Sequence, residues 1–285
     1  MVQNSVLQNV ELSGKDFRKI TDLVYEHCGI DLHKGKKELV RARLAKLLRK
    51  GNFKTISEYM DHVLADKSGE AFSTLINSLS TNLTSFFREI KHFDYLQNAF
   101  LPVLMQQKRK KNNFKIRGWS AGCSSGEEPY SIAITLLDTT QGQGQWDIKV
   151  LATDISTSIL ETGIKGIYDK KRIEPLTLSQ KNKYLRTCKV DGHTVFEVKQ
   201  NLRNVVVFRY LNLMDKWPIN PSGGLDFIFC RNVMIYFDKS TQASLINRFW
   251  DILDSGGILF TGHSESLAGI EHRFKYIQPT IYTKS

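Results

Sequence analysis

Apolar residues recur at helical spacing through the first 80 positions and then change to short β-prone runs separated by helical stretches. Phe17, Ile20, Val24 and Tyr25 fall on one face of a helix that Ser13 and Asp16 can cap. In "KKELVRARLAKLLRK", residues 36–50, Leu39, Val40, Leu44, Leu47 and Leu48 are expected towards one side, with Gly51 as the C-terminal cap. Thr55 and Glu58 have capping-box spacing, and Ala71, Phe72, Leu75, Ile76 and Leu79 mark a further amphipathic helix. From 114 onward the expected strands are 114–119, 148–154, 205–210, 225–230, 257–262 and a single C-terminal strand over 276–284. Helical patterns fall between most of them: Tyr130 to Leu137, Ile159 to Thr162 and Thr241 to Leu253. Alternation of this kind predicts a mainly parallel sheet flanked by helices, with ligands at the carboxyl ends of its strands.

About 50 residues separate Asp154 from Val205, too many for a plain crossover. Within them "CKVDGHTVFEV" carries a DG turn between β-prone residues, which predicts a hairpin in a small inserted β subdomain over about 165–204. The expected organisation is an all-α N-terminal domain over 1–80, a linker over 81–92 and an α/β domain over 93–285.

The chain of 285 residues is long enough for one large or two ordinary domains. No apolar run approaches the roughly 18 residues of a membrane span, and "MVQNSVLQNVELSG" lacks the charged and apolar regions of a signal peptide. Four scattered cysteines, with no CxxC, argue against disulfides and a cysteine metal site and fit a reducing cytoplasm; no metal site is expected. Forty basic residues against 29 acidic ones give +11, which leaves two readings: a solvated basic surface, or an acidic partner such as nucleic acid, anionic membrane or acidic protein.

The chemistry gathers in "RGWSAGCSSGEEPYSIAI", Arg117 to Ile134, where a strand meets a glycine turn and a helix start. Gly118, Gly122 and Gly126 match neither a dinucleotide fingerprint nor a phosphate-binding P-loop. A helix N-terminus ordinarily attracts anions, but Glu127 and Glu128 are placed to use that field themselves. A pyrophosphate would face two carboxylates, whereas a cationic, phosphate-free ligand such as S-adenosylmethionine fits. The plainer reading, two ordinary first-turn acids, stands beside it. Asp154 ends the second strand, where an acid accepts hydrogen bonds from ribose hydroxyls or caps the next helix. Arg231 and Asn232 follow the buried strand "DFIFC", at the ligand edge, although Arg231 also reads as a structural arginine. Asn212 in "LNLMD" suits an adenine edge or a turn.

With those residues in place, "STNLTSFFRE", "GWSAGCSSGEEPYSIAI", "LATDIS", "FIFCRNVMIYFD" and "GGILFTGHSESL" together resemble the chemotaxis receptor methyltransferases, the CheR family, in order over about 80–283. The preceding helices resemble that family's N-terminal domain. The resemblance implies a Rossmann-like fold and methyl transfer from S-adenosylmethionine, leaving S-adenosylhomocysteine, to glutamate carboxylates on chemoreceptors. It implies that Asn82, Thr84 and Arg88 line the cofactor and substrate site. Glu128 and Asp154 are then expected to bind the cofactor's amino-acid and ribose parts, Asn212 and Leu213 to meet the adenine, and Arg231 and Asn232 to close the pocket. Arg88 and Tyr236 are the expected catalytic residues, Arg88 orienting a carboxylate and Tyr236 lying beside the methyl group. The loop departs only at Ser125, where family members often carry threonine, and a hydroxyl is kept.

The resemblance also gives the basic helix a purpose. The methylated receptor helices are acidic, so Arg41, Arg43, Lys46, Arg49 and Lys50 are expected to seat them, unless they form a solvated face. Some family members hold a receptor C-terminal peptide on the inserted hairpin. Here only Gly192 lies between Arg186 and Val198, so a pentapeptide tether is not expected. Two alternatives remain from other classes: a nucleic-acid methyltransferase, for which the sequence carries charge but no binding signature, and a non-catalytic S-adenosylmethionine-binding scaffold, which the presence of Arg88, Asp154 and Tyr236 disfavours.

Overall fold

A computed structural model describes residues 11–32, 34–219 and 224–285. The reading of the extreme N-terminus as lacking a signal peptide falls, over residues 1–10, outside the described residues.

The N-terminal part contains α1 (Gly14–Cys28), α2 (Lys37–Gly51), α3 (Ile56–Ala65) and α4 (Glu70–Leu79). Their apolar stripes close on one another, with Ile20, Val24, Leu44, Leu48, Met60 and Leu75 at the centre of a separate core. Ser13 Oγ accepts from the Asp16 N–H, and Thr55 Oγ1 accepts from the Glu58 N–H. The reciprocal bond of the second cap goes one residue early, from the Lys54 N–H to Glu58 Oε2.

Two local expectations about α2 differ from the structure. Asn52, not Gly51, takes the left-handed cap conformation at φ 57°. Gly51 is the last helical residue, and a Cβ there would lie 2.5 Å from the Phe53 ring. Leu39 is exposed, away from the Val40–Leu44–Leu48 stripe.

The second part begins with α5 (Ile90–Tyr95) and α6 (Leu101–Lys110), joined by a π-helical turn over Leu96–Phe100. The alternation follows: β1 (Lys115–Ala121), α7 (Glu127–Thr140), β2 (Asp147–Asp154), α8 (Thr157–Lys165), β6 (Val206–Tyr210), β7 (Leu225–Cys230), α11 (Lys239–Ile252) and β8 (Leu253–Thr261). The expected C-terminal strand is a hairpin instead, β9 (Lys275–Gln278) and β10 (Ile281–Thr283). Pro279 has no N–H to donate, and Thr280 turns the chain at φ 64°. Between β2 and β6 lies the insertion: β3 (Ile167–Tyr168), α9 (Leu178–Tyr184), β4 (Leu185–Val190), β5 (His193–Val198) and α10 (Gln200–Arg203). Its hairpin turns at Asp191 and Gly192, both at positive φ, as the DG signal predicts.

The main sheet runs β6-β2-β1-β7-β8-β10-β9, its first five strands parallel and its last two antiparallel additions. β7 is buried at every position, as a central parallel strand must be. The strand order reverses between β1 and β7: the chain leaves β1 towards β2 and β6, then returns to the other side of β1. A crevice opens at such a switch point beyond the carboxyl ends of the strands. The loops that follow β1, β2, β6 and β7 carry Gly122–Gly126, the end of Asp154, Asn212–Leu213 and Arg231–Asn232 to that edge.

Candidate active site

The switch point opens into a concave cleft lined by both apolar and polar side chains, the kind of site that takes small-molecule ligands. Asn82, Thr84, Arg88, Glu128, Asp154 and Tyr236 line it, as do Asn212, Leu213, Arg231 and Asn232. The N-terminal domain forms the facing wall through Cys28, Leu32, Lys36, Leu39 and Leu79, a contribution that helical periodicity alone does not signal.

The glycine loop is shaped by its neighbours. Gly122 stands at φ 83°, and a Cβ on it would lie 2.3 Å from Val233 Cγ2; at Gly126, φ 96°, one would lie 2.8 Å from the Gly163 backbone. The loop thus packs between the turn after β7 and α8. Asp154 secures it from the next strand: Oδ2 accepts from the Ser124 N–H at 2.8 Å and Oδ1 from the Ser156 N–H at 2.9 Å. Each oxygen keeps further acceptor capacity. Burial pushes this carboxyl up from its ordinary value, opposed by those backbone bonds.

The two adjacent glutamates part company. Glu127 turns away from the cleft into the insertion, where its carboxylate accepts from Arg172 Nη1 at 2.8 Å and from Ser125 Oγ at 2.6 Å. The expectation of a paired acidic face is therefore corrected: successive helical residues point about 100° apart, so only one acid reaches the cleft. Glu128 is that residue. Its Oε1 accepts from Ser120 Oγ at 2.7 Å and its Oε2 from Arg231 Nε at 2.7 Å.

Arg231 is buried, as the structural reading holds, and it organises the floor. Its Nη1 donates to the Arg88 carbonyl at 2.7 Å and lies 3.4 Å from Glu89 Oε2. The guanidinium sits 5.4 Å from the Phe93 and Phe229 ring centres. Nη1 also lies 3.1 Å from His92 Nδ1, which must accept, so the Nε2–H donates to Thr280 Oγ1 at 2.7 Å. Burial, aided by Arg231, pushes His92 down to about 3, so its ring is neutral at pH 7. Glu89, His92 and His263 bring potential ligand atoms within 4.8 Å of one another, but a cation among them would confront the guanidinium.

Arg88 sits between two residues in the left-handed region, Phe87 at φ 52° and Glu89 at φ 59°. Its Nη1 donates to the Leu83 carbonyl at 2.7 Å. The segment is tied to the sheet domain on both sides: the Phe87 N–H donates to Ser131 Oγ at 2.9 Å, and Ser124 Oγ donates to the Asn82 carbonyl at 3.0 Å.

Glu265 is the residue that sequence reasoning missed. It is buried, its Oε2 accepts from the N–H groups of Asn232 and Gly262 at 2.7 and 2.6 Å, and its Oε1 accepts from Ile235 at 3.1 Å. It thereby fixes the turn that presents Tyr236, with Asn232 held at φ 60°. The available signal is a glycine at a strand end followed three residues later by an acid, in "TGHSE".

Asn212 is used differently from expectation. Its Nδ2 donates to the His27 carbonyl at 2.5 Å and its Oδ1 accepts from the Met214 N–H at 3.0 Å, so the amide joins the two domains. Leu213 is buried beside it. Across the cleft, the Asp31 N–H donates to the Tyr236 carbonyl at 2.7 Å, Ile30 and Phe237 form a β-bridge, and Lys36 Nζ lies 5.2 Å from the Tyr236 ring centre.

The basic helix is less uniform than its sequence. Arg43 donates to the carbonyls that end α4, at 3.2 Å to Ser78 and 2.8 Å to Ser80, with a further bond to Leu79, so it acts as a cap between helices. These bonds engage the guanidinium that was expected to serve as a docking cation. Arg41 pairs with Glu38 at 2.8 Å. Lys46, Arg49 and Lys50 are exposed.

Comparison with known proteins covers both parts. Residues 15–80 match the family described as "CheR methyltransferase, all-alpha domain", and residues 82–283 match "CheR methyltransferase, SAM binding domain". A chemotaxis protein methyltransferase of Borreliella burgdorferi is 41% identical over 285 residues, covering 99% of each chain. Those of Salmonella typhimurium and Escherichia coli are each 39% identical; the alignments cover 99% and 98% of this chain and 96% and 93% of theirs.

Proposed function

We infer the reaction from one premise: the chain belongs to the CheR family of S-adenosylmethionine-dependent chemotaxis methyltransferases. It transfers a methyl group from S-adenosylmethionine to glutamate side chains of bacterial chemoreceptors, forming methyl esters. The observation that carries the residue-level reading is the convergence of Glu128, Asp154, Arg88 and Tyr236 on one cleft at the switch point.

The cofactor, when bound, supplies an electrophilic methyl group on a sulfonium. The donor set fits it: Asp154 retains acceptor capacity for two ribose hydroxyls, and Glu128 offers negative charge to the ammonium end. Since the Asn212 amide is engaged with His27 and Met214, we assign the adenine edge to the backbone at 212–213 and the apolar side chain of Leu213. Arg231 holds Glu128, while Asn232 and Glu265 set the turn. Methyl esterification requires no general base, because a glutamate with a pKa of about 4.3 is already ionised at pH 7. The protein's work is alignment and exclusion of water. Arg88 orients the attacking carboxylate through its free guanidinium N–H groups, and Tyr236 fixes the approach. Incubation with methyl-labelled S-adenosylmethionine and receptor, followed by base, should release volatile methanol. Label retained as a base-stable product would defeat the glutamate reading.

Asp154→Ala should weaken cofactor binding by about 1–3 kcal/mol through loss of charge-assisted hydrogen bonds. Only the ionised form accepts from both hydroxyls, and the pKa is raised, so wild-type affinity should fall as pH drops through that value. The decline should disappear in Asp154→Asn. Calorimetry showing unchanged affinity and a wild-type pH profile would remove Asp154 from the site.

We assign receptor docking to Lys46, Arg49 and Lys50 of the helical domain. No helix among the described residues is long and apolar enough to cross a membrane. β4 is one of the two edge strands of the inserted sheet, and Arg186 and Lys189 on it discourage strand addition. Reversing charge at Lys46 and Lys50 should raise the KM for receptors lacking their C-terminal tail at low salt, and the effect should shrink as salt screens beyond about 8–10 Å. Micromolar binding of an aromatic-ended receptor pentapeptide that competes with methylation would contradict this docking mode.

A further inference from the structure

Two leucines stand out at the mouth of the cleft. Leu83 is 77% exposed and Leu39 is 47% exposed, yet both line the same opening as Arg88 and Tyr236. They come from different domains, Leu39 from α2 and Leu83 from the segment that carries Arg88. Leu83 is not exposed through looseness. Its carbonyl is fixed by Arg88, and the carbonyl of the preceding Asn82 is fixed by Ser124 Oγ. The backbone therefore holds the side chain out in water at the edge of the reaction site. Lys36 and Arg88 line the same mouth, and neither has a carboxylate partner among the described ion pairs. The two leucines and the two cations at this opening are complementary to a segment that carries an anion between apolar flanks.

On the reading that the cleft esterifies receptor glutamates, we propose that Leu39 and Leu83 form an apolar collar that grips the receptor segment on either side of the acceptor residue. The partner is thus a glutamate whose neighbours on the presented face are small or aliphatic. A carboxylate enters between the cations while its apolar flanks cover the leucines and exclude water from the methyl-transfer path. The collar supplies a component of recognition that salt does not screen, distinct from the lysines of α2.

The test compares Leu39→Ser, Leu83→Ser and the double variant with wild type, using a receptor cytoplasmic fragment. Both side chains are exposed, so the fold is kept, and thermal melting checks this. KM for the fragment should rise about tenfold for Leu83→Ser and further in the double variant, since covering a leucine contributes that much to affinity. S-adenosylmethionine affinity by calorimetry should stay at the wild-type value, and the KM ratio should be the same at low and high salt. An unchanged KM with wild-type esterification intact would overturn the collar alone. So would a loss that tracks cofactor affinity, which would make the leucines cofactor walls. Conversion of a wild-type dimer to monomer at constant KM would reassign the patch to self-association and overturn it too. Wild-type protein that binds cofactor but esterifies no receptor glutamate would overturn the parent reading and the collar with it.

Discussion

Arg231→Met should destabilise the folded chain by about 3–5 kcal/mol, the usual cost of removing one partner from a buried ion pair. The guanidinium lies 2.7 Å from Glu128 Oε2 and 2.7 Å from the Arg88 carbonyl, in surroundings of Phe93 and Phe229. Methionine fills much of the space but leaves Glu128 with only Ser120 as a partner, and the Arg88 carbonyl without this donor. Natural domains are stable by only about 5–15 kcal/mol, so the loss is a large share of the total. Urea unfolding should show a lower midpoint at constant slope. The double variant with Glu128→Gln should be less damaged than the two single losses added, because both remove the same interaction. A single variant that unfolds like wild type would show that the network does not hold the floor together.

Arg88→Ala should lower the turnover number about a hundredfold, the scale of effect expected when a reacting group is misplaced by about 1 Å. The side chain contacts the Leu83 carbonyl and reaches the cleft from a backbone flanked by two left-handed residues, so its position is fixed before any substrate arrives. If alignment is its role, cofactor affinity should change by only a few fold and single-turnover methylation should carry the defect. Arg88→Lys should recover part of the rate, since it keeps the charge but not the planar fork. Normal turnover would end the assignment. Loss of cofactor binding equal to the loss of rate would move Arg88 from orienting the acceptor to holding the cofactor.

Much of the framework was legible because it rests on local rules. Apolar spacing marked α1, α2 and α4, the Thr55–Glu58 capping pattern marked the start of α3, the β-prone runs marked the parallel strands, and the DG pair marked the hairpin turn. What escaped depends on three-dimensional neighbours. Gly51 looks like a cap until Phe53 is seen against it, and Arg43 looks like a surface cation until α4 ends beneath it. Glu127 and Glu128 are chemically identical neighbours in sequence, but the helix turns one towards Arg172 and the other towards Arg231. Asn212 suited a ligand edge by residue type, yet its amide joins the domains. Glu265 carries no periodic signal, only a strand-end glycine three residues before it, and its gathering of backbone N–H groups shows once the turn has closed around it. The cleft's facing wall was equally hidden, since Leu39 and Cys28 belong to helices whose periodicity speaks only of their own core.

The closure of that wall has a consequence for how the protein can diversify. On the helical side, three of the joins use backbone atoms: the His27 carbonyl, the Ile30 bridge and the Asp31 N–H. Backbone groups are the same whatever residue carries them. Sequence drift across the outer faces of these helices can therefore retune which partner is seized, while the lid over the reaction chamber is inherited unchanged.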